Sequence, residues 1–359
     1  MKQWVGLDIG ADTVSACIKD DAGCVLAKAE LMASDEDITK FLLRYGSSES
    51  MVVGLEAGST GIHLTRKLRH RGYQVHVFET RQTSKFLSIR QNKTDGNDAE
   101  GLADLVRLGR GVVAEVSVKS VECQLLRSKL VVRQKLVSHR MAGEGAIRSA
   151  FRLNGGKLER SYSAVGLRRN VLSEVKKIKD REGVDLTEDV LPVLEICEAT
   201  RRHLERVDRN LMKLAENHPI CSRFLAIPGV GPITALSFYS AIGDPARFKR
   251  SADVGAYFGL VPRLKQSGGT SVRCGISKMG NAMTRTHLVG AAAAIMRQKS
   301  EVGVLRVWAD NLRERSNYRR VTTALARKLA VVMLSIWKSG QTFDPNPRDL
   351  DTIGKELRS

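Results

Sequence analysis

The stretch that decides the fold is Trp4-Val-Gly-Leu-Asp-Ile9, an apolar segment that carries one carboxylate, Asp8. Its composition and the turn expected after it around Asp12 predict a β-strand. Two more strands are predicted over 13–19 and 25–32, joined by a turn around 20–23. The chain therefore opens as a three-stranded antiparallel meander. A carboxylate inside such a strand is costly unless a cation or hydrogen bonds satisfy it.

Helices and strands alternate after this meander. The pattern predicts a helix over 35–44, a strand over 51–55, a helix over 59–71, a strand over 74–78, a helix over 97–108 and a last strand over 112–116. This order is typical of an α/β ribonuclease-H-like domain. We assign that domain to residues 1–117.

Three further acids accompany Asp8. Glu56 closes the second apolar strand, and Asp95 and Asp98 stand three residues apart at a helix start, so they share one face. Acids from two strand ends and one helix suit a site for two Mg²⁺ ions on a phosphodiester, because hard cations prefer oxygen ligands. The alternatives are that Asp95 and Asp98 cap the helix and that Asp8 is a lone hydrogen-bonded residue.

The charge balance predicts a polyanionic partner. The chain has 58 Lys and Arg against 39 Asp and Glu, a formal net charge of +19. Nucleic acid is the first candidate and an anionic membrane surface the second. Aromatic residues make up only 5% of the chain, which disfavours base stacking as the main contact.

The chain shows no signal peptide and no apolar run long enough to span a bilayer, so we expect no membrane association and a cytoplasmic, nucleoid-associated protein. The six cysteines form no C-x-x-C pair, which argues against zinc and disulfides. Buried, reduced thiols are expected instead.

Residues 118–217 are predicted to form a helical linker. Its first helix carries five bases, which suit contact with a nucleic-acid backbone, although a solvated helix face is the alternative; they are Arg127, Lys129, Arg133, Lys135 and Arg140. A later apolar seam has alternating 3- and 4-residue spacings, as in a coiled coil. The alternative is an amphipathic helix packed on its own subunit. The seam comprises Val190, Val193, Cys197, Thr200, Leu204, Val207, Leu211 and Leu214.

Residues 218–345 are predicted to form a third, mainly helical domain, followed by a tail over 346–359. Its opening loop, Ile227-Pro-Gly-Val-Gly-Pro232, suits the hairpin of a helix-hairpin-helix element. There, Gly229 and Gly231 would let backbone N–H groups approach a phosphate. An ordinary helix–helix turn is the alternative.

A basic segment with several hydroxyl groups follows. The bases that would contact nucleic acid are Arg263, Lys265, Arg273 and Lys278, with Arg285 nearby. A serine among such cations can attack phosphorus, because the cations offset the developing charge. Composition leaves the choice among Ser267, Ser271 and Ser277 open.

Taken together, these motifs resemble one family of transposases. The matching segments in the first half are Gly6-Leu-Asp-Ile-Gly10, Gly54-Leu-Glu-Ala-Gly-Ser-Thr60 and Asn92-Lys-Thr-Asp-Gly-Asn-Asp-Ala99. Those in the second half are Ile227-Pro-Gly-Val-Gly231, Phe258-Gly-Leu-Val-Pro262, Gln266-Ser-Gly268 and Ile276-Ser-Lys-Met-Gly-Asn281, with Arg327-Lys-Leu-Ala330 and Phe343-Asp344 near the end. The family is the insertion-sequence "one-ten" group, with its "eleven-eleven" branch and the related Piv DNA invertases.

This resemblance implies a RuvC-like domain whose Asp8, Glu56, Asp95 and Asp98 form a metal-binding DEDD tetrad. It implies Ser267 as a nucleophile that forms a transient phosphoserine link to DNA. It further implies donor and target DNA as substrates, a guide RNA encoded by the element, and a homodimer or homotetramer in which the carboxylates of one subunit meet the serine of another.

Three alternatives to an RNA-guided transposase stay open at this stage. One is a site-specific DNA invertase of the Piv kind. Another is a RuvC-like nuclease whose carboxylates activate water, so that no covalent intermediate forms. The last is a basic nucleic-acid-binding protein with a decayed active site.

Overall fold

The structure is a computed structural model that describes residues 2–89, 92, 94–109, 111–267, 270–298 and 303–344, with residues 264–267 and 270–274 described for their backbone alone. The chain divides into two compact units, Met1–Val118 and Lys119–Ser359.

The first unit is built on a five-stranded sheet. Its strands are β1 (Gln3–Ile9), β2 (Thr13–Lys19), β3 (Val25–Met32), β4 (Met51–Glu56) and β5 (Gln74–Phe78). The spatial order is β3-β2-β1-β4-β5, with the first three strands antiparallel and β4 and β5 parallel to β1. The predicted meander followed by alternating helices and strands is confirmed.

Four helices connect and cover these strands. They are α1 (Asp35–Leu42), α2 (Ser59–His70), α3 (Thr80–Leu87) and α4 (Asp95–Leu108). Helix α3 was not predicted. The predicted strand over 112–116 is wrong: among the residues described there, Glu115 makes only an isolated bridge to Phe78. Gly109 and Gly111 precede it with positive φ angles of 87° and 101°, so the backbone turns where a strand would have to begin.

The sheet buries both of its faces. Val5 and Leu7 of β1 point to one face, where they pack in a core with α1 and α2. Val52 and Phe78 point to the other face and pack against α4 through Leu102 and other side chains. Because successive strand residues alternate between faces, Gly6 and Asp8 lie on the α4 face.

The second unit is mainly helical. Its helices are α5 (Val121–Leu153), α6 (Ala164–Glu182), α7 (Thr187–Asn217), α8 (Cys221–Leu225), α9 (Pro232–Ile242), α10 (Val254–Tyr257), α11 (Ala282–Arg297), α12 (Gly303–Arg313) and α13 (Tyr318–Ser339). One antiparallel hairpin interrupts them, formed by β6 (Pro262–Ser267) and β7 (Thr270–Ile276). This hairpin was not predicted from the sequence.

The heptad seam of α7 packs inside its own unit. Val190 and Cys197 are buried with Phe151 of α5 and with side chains of α6. Further along, Leu211 joins a larger core that includes Leu130 of α5. Gly143 of α5 lies so close to Cys197 that a Cβ there would be 2.5 Å from the sulfur atom. This packing favours the amphipathic-helix alternative for the seam.

The five cysteines whose side chains are described are free thiols, and all but Cys24 are buried, as predicted. Within the described ranges, no helix has both the length and the apolar character needed to cross a bilayer.

Candidate active site

Two of the predicted acids are neighbours at the ends of parallel strands. Leu7 of β1 lies opposite Leu55 of β4, so the next residues, Asp8 and Glu56, follow side by side. Both are partly buried. They alternate with Gly6 and Gly54, which places both carboxylates on the sheet face that α4 covers.

Glycines allow α4 to lie directly on that face. A Cβ at Gly6 would be 2.0 Å from the carbonyl oxygen of Ala99 and 2.4 Å from the backbone nitrogen of Ala103. At Gly54, a Cβ would be 1.9 Å from Cγ2 of Val106. Neither distance leaves room for a side chain, so both glycines are required by the close approach of helix and sheet.

The direction of α4 brings its first turn to the acidic strand ends. Ala99 lies over Gly6, whereas Asp104 accepts a hydrogen bond of 2.7 Å from Lys19, which pairs in register with Trp4 at the start of β1. The helix therefore runs opposite to β1. Its first turn, with Asp95 and Asp98, lies toward the ends of β1 and β4.

The two acids of this turn differ in their surroundings. Asp95 is exposed, whereas Asp98 is only 9% exposed. Within the described part of the chain, no hydrogen bond or ion pair reaches the Asp98 carboxylate. The helix cap is supplied by Thr94, whose hydroxyl accepts from the N–H of Asn97 at 3.2 Å. The capping alternative for Asp95 and Asp98 is therefore not what the structure has, although the helix N-terminus still favours their charge.

The four acids do not form a closed ligand shell. Among the described residues, no group of three or more His, Cys, Asp or Glu side chains is arranged to hold a metal ion. Asp8 and Glu56 each interact with another group of the chain. The site thus places carboxylate oxygens, the ligands that Mg²⁺ prefers, at one sheet edge, but they do not form a complete coordination shell.

Lys19 is a positioning residue that sequence reasoning missed. It is 5% exposed and pairs with Glu100 at 3.1 Å and with Asp104 at 2.7 Å. Because both acids lie on α4, this buried cation fixes the helix on the sheet. The signal was present in the sequence, since residues 100 and 104 are four apart and share one helix face.

The candidate nucleophile lies at the end of β6. The register pairs Ser267 with Thr270 across the hairpin. The side chains of Ser267, Ser271, Lys265 and Arg273 lie outside the described residues, so their predicted roles stay predictions. Arg263 and Lys278 have exposed side chains, and Ser277, the other candidate, donates its N–H to the carbonyl of Val261 at the hairpin base.

The base of this hairpin is locked by backbone contacts. A Cβ at Gly259 would be 2.4 Å from the backbone of Met279, and one at Gly280 would be 2.1 Å from the carbonyl oxygen of Tyr257. Lys278, between them, has a φ of 56°, a left-handed conformation that is uncommon outside glycine. Arg285 donates to the carbonyls of Phe258 and Met279, so its role is structural.

The loop predicted as a helix-hairpin-helix joins two unequal helices, since α8 has five residues and α9 has eleven. Gly229 has a φ of 78°, and a Cβ there would be 2.8 Å from the carbonyl oxygen of Ala291 in α11. That contact within the unit accounts for this glycine. Gly231 precedes α9 as its N-cap and has open space on its Cβ side.

The five predicted bases of α5 fall into two groups. Arg127, Lys129 and Lys135 are exposed. Arg133 is paired with Asp208 of α7, and Arg140 lies 3.9 Å from Glu144 on its own helix. Only the first three, among these five, have side chains uncommitted to an ion pair in the described structure.

Comparison with known proteins covers both units. Residues 5–153 match the model of the DEDD-type transposase domain of the IS110 group, and residues 221–303 match the model described as "Transposase IS116/IS110/IS902 family". The chain is 30% identical to the transposase for insertion sequence element IS1111A of Coxiella burnetii, over 94% of this chain and 90% of that protein.

Two other relatives are also similar over most of the chain. The transposase for insertion sequence element IS1328 of Yersinia enterocolitica is 26% identical over 94% of this chain and 98% of its own length. A probable family 20 transposase of Pseudomonas aeruginosa is 26% identical over 82% of this chain and 86% of its own. Acidic strand ends under α4, together with these matches, define the class as an insertion-sequence transposase with a DEDD domain, an enzyme of DNA recombination. The chain belongs to the IS116/IS110/IS902 family of transposases.

Proposed function

We propose that this transposase cuts and rejoins DNA strands through a covalent phosphoserine intermediate, with Ser267 as nucleophile and Mg²⁺ held by Asp8, Glu56, Asp95 and Asp98. The observation that carries the metal site is the arrangement of α4, whose first turn lies toward two acidic strand ends. The DEDD-type domain match supports dependence on a divalent metal.

The residues fit a magnesium site that is completed by its substrate. Mg²⁺ is usually bound by one or two carboxylates together with substrate phosphates, and seldom by a cage made of protein alone. An open set of acids is therefore compatible with this ion. The buried Asp98 supports the assignment, because a carboxylate at 9% exposure is costly without a cation or hydrogen bonds. When bound, the ion would supply Lewis-acid stabilisation of the phosphate oxygens.

In the proposed reaction, the Ser267 hydroxyl attacks a DNA phosphorus. The Oγ–P bond forms, one bridging P–O bond breaks, the serine proton is released and the leaving deoxyribose oxygen gains a proton. Rejoining reverses these changes with a hydroxyl of another strand. Because one phosphoester replaces another, strands can be exchanged without ATP. The close backbone contacts at Gly259 and Gly280 support Ser267 as the nucleophile, because they fix the base of the hairpin that carries it.

Nucleic-acid binding is proposed for the exposed bases. Arg127, Lys129 and Lys135 of α5 are the best supported, together with Arg263 and Lys278 at the hairpin base. Phosphate contact is also proposed for Gly231, which has open space on its Cβ side, whereas Gly229 is explained by its contact with α11. Arg133 and Arg140 contribute less, because both have acidic neighbours. Roles for Lys265 and Arg273 rest on sequence.

The remaining parts of the proposal rest on family resemblance. They are guidance by an element-encoded RNA, assembly into a dimer or tetramer, a linker domain over 118–217, a transposase domain over 218–345 and nucleoid association in a bacterial cytoplasm. Exposed apolar side chains on α5 and α7, such as Val132 and Ile196, are compatible with contacts between subunits.

The test is a denaturing gel of full-length protein incubated with Mg²⁺ and end-labelled DNA carrying the element ends. Wild type is expected to give a protein–DNA adduct that EDTA abolishes. Ser267→Ala should give none, whereas Ser271→Ala, a serine of the same hairpin, should retain it. Free 5′-phosphate ends without an adduct would identify a water-activating nuclease, and an adduct formed by Ser267→Ala would refute the assigned nucleophile.

A further inference from the structure

Two cations lie against one aromatic ring in the second unit. The guanidinium carbon of Arg247 is 5.1 Å from the ring centroid of Tyr257 and 5.5 Å from that of Phe248. The ammonium nitrogen of Lys119 is 6.0 Å from the Tyr257 centroid. Arg247 is exposed. Stacking of this kind leaves the N–H edge of a guanidinium available for a planar or tetrahedral anion.

Lys119 is held rigidly beside this ring. Its ammonium group donates to the carbonyl oxygen of Ala241 and lies 3.4 Å from the Tyr257 hydroxyl, which donates to the same carbonyl at 2.9 Å. Burial, together with the charges of Arg127 and Arg247, lowers the pKa of Lys119 to about 8. The neighbours of this ammonium group therefore oppose its charge, and an anion bound there would relieve that repulsion.

The nearby acids are occupied elsewhere. Glu122 accepts from the Tyr239 hydroxyl at 3.0 Å and lies 3.4 Å from His218. Asp244 accepts the backbone N–H of Ala246, and Asp253 pairs with Arg250. In the part of the chain that the structure describes, no carboxylate pairs with Lys119 or Arg247. Two preorganised cations with no counterion among the described residues are suited to binding an anion.

We infer that Lys119 and Arg247 bind one phosphate of a nucleic-acid backbone, with Arg127 of α5 contacting the same strand. A polynucleotide is favoured over a small anion because Arg247 is exposed and the whole chain carries a net charge of +19. This inference rests on the proposed binding of nucleic acid by the transposase. It adds residues outside the motifs that identify the family.

The experiment measures binding of full-length protein to a 25-base-pair DNA duplex, and to an RNA duplex of the same sequence, between 50 and 200 mM salt. Each phosphate contact contributes about 0.9 to the slope of log K against log salt on duplex DNA. Arg247→Ala should lower that slope by this amount, which corresponds to an affinity about eightfold weaker at 0.1 M salt. Arg247→Lys should keep the slope, because it keeps the charge.

The matched control is Arg250→Ala, which removes the same charge three residues away from a side chain already paired with Asp253. Its slope should equal that of wild type. Inorganic phosphate at 10 mM, at constant ionic strength, should compete no better at this site than sulfate if a polynucleotide is the ligand; selective competition by phosphate would overturn the choice of ligand.

A second variant, Lys119→Met, should lower the slope in the same way. Because the two variants change different positions, a folding defect in one of them would not decide the result. Equal slopes for wild type, Arg247→Ala and Lys119→Met would refute the inference while leaving the proposed function intact, since wild type would still bind and form the adduct. A wild-type protein that binds neither duplex would overturn both.

Discussion

The two regions that carry the candidate reactive groups are fixed in different ways. Asp8 and Glu56 belong to a central sheet that is buried on both faces, and α4 is pressed onto it at Gly6 and Gly54. Ser267 lies at the far end of a two-stranded hairpin that is anchored only at its base, through Gly259 and Gly280. A two-stranded ribbon has little stability of its own. The carboxylates are thus positioned by a hydrophobic core. The serine is positioned from several residues away by the backbone contacts of Gly259 and Gly280, which we call the clamp.

The largest effect is expected from Gly6→Ala. The added Cβ would meet backbone atoms of Ala99 and Ala103, which cannot rotate away as a side chain can. Overpacking against a fixed backbone should destabilise the first unit by about 3 kcal/mol and displace the first turn of α4. Urea unfolding measures this cost. Gly96→Ala, in the same helix with open space at its Cβ, is the control and should be neutral or slightly stabilising. Equal stability of the two variants would contradict the packing argument.

A smaller loss is expected from Gly280→Ala in the clamp. Its φ of 72° disfavours a side chain, and the new Cβ would be 2.1 Å from the Tyr257 carbonyl oxygen. The expected cost is about 2 kcal/mol, with a loss of adduct formation that exceeds the loss of folded protein. Gly275→Ala, in β7 of the same hairpin, has no described atom within 4 Å of its Cβ and should behave as wild type in both assays. If Gly280→Ala formed the adduct normally, the clamp would not position the nucleophile.

The smallest effect is a change in acid sensitivity. Hydrogen bonds from Lys28 and Lys19 lower the pKa of Glu100 from 4.5 to about 2. A carboxylate with a lowered folded-state pKa stabilises the fold above its unfolded-state pKa, and this stabilisation is lost as the pH falls from about 4.5 toward 2. Glu100→Gln should therefore unfold more easily at neutral pH and lose less stability over that interval.

Thermal unfolding between pH 7 and pH 2.5 measures this difference. Glu49→Gln, which removes an exposed acid in a turn before β4, serves as the control and should follow the wild-type curve. Parallel curves for Glu100→Gln and wild type would show that the ion pairs of α4 contribute nothing to the anchoring of the sheet.

Sequence alone predicted the sheet and the acids on it. Asp8 and Glu56 each lie in an apolar strand, where a carboxylate is costly unless a metal ion or a hydrogen-bond network satisfies it. It did not predict the β6–β7 hairpin, whose alternation is masked by bases and glycines. It placed a strand over 112–116, because valines favour strands and the positive φ angles of Gly109 and Gly111 are not visible in composition.

Periodicity also left the partner of the α7 seam open. The spacing of Val190, Cys197 and Leu204 predicts that one face of α7 is apolar, but it does not predict which element covers that face. The structure covers much of that face with α5 and α6 of the same unit. Arg285 was likewise noted beside the predicted phosphate-binding bases, whereas it donates to two backbone carbonyls. The charge of Arg285 can be read from the sequence, whereas its hydrogen-bond partners cannot.

The most direct test of the account is binding of Mn²⁺, used as a probe for Mg²⁺, measured by electron paramagnetic resonance on full-length protein with duplex DNA. Wild type is predicted to bind the ion, and Asp98→Asn should weaken binding by at least about tenfold, since even partners outside the ligand shell cost that much when removed. Asp12→Asn, an exposed acid just beyond β1, should bind as wild type does. If Asp98→Asn bound Mn²⁺ as tightly as wild type, the carboxylates at this sheet edge would not be the metal site.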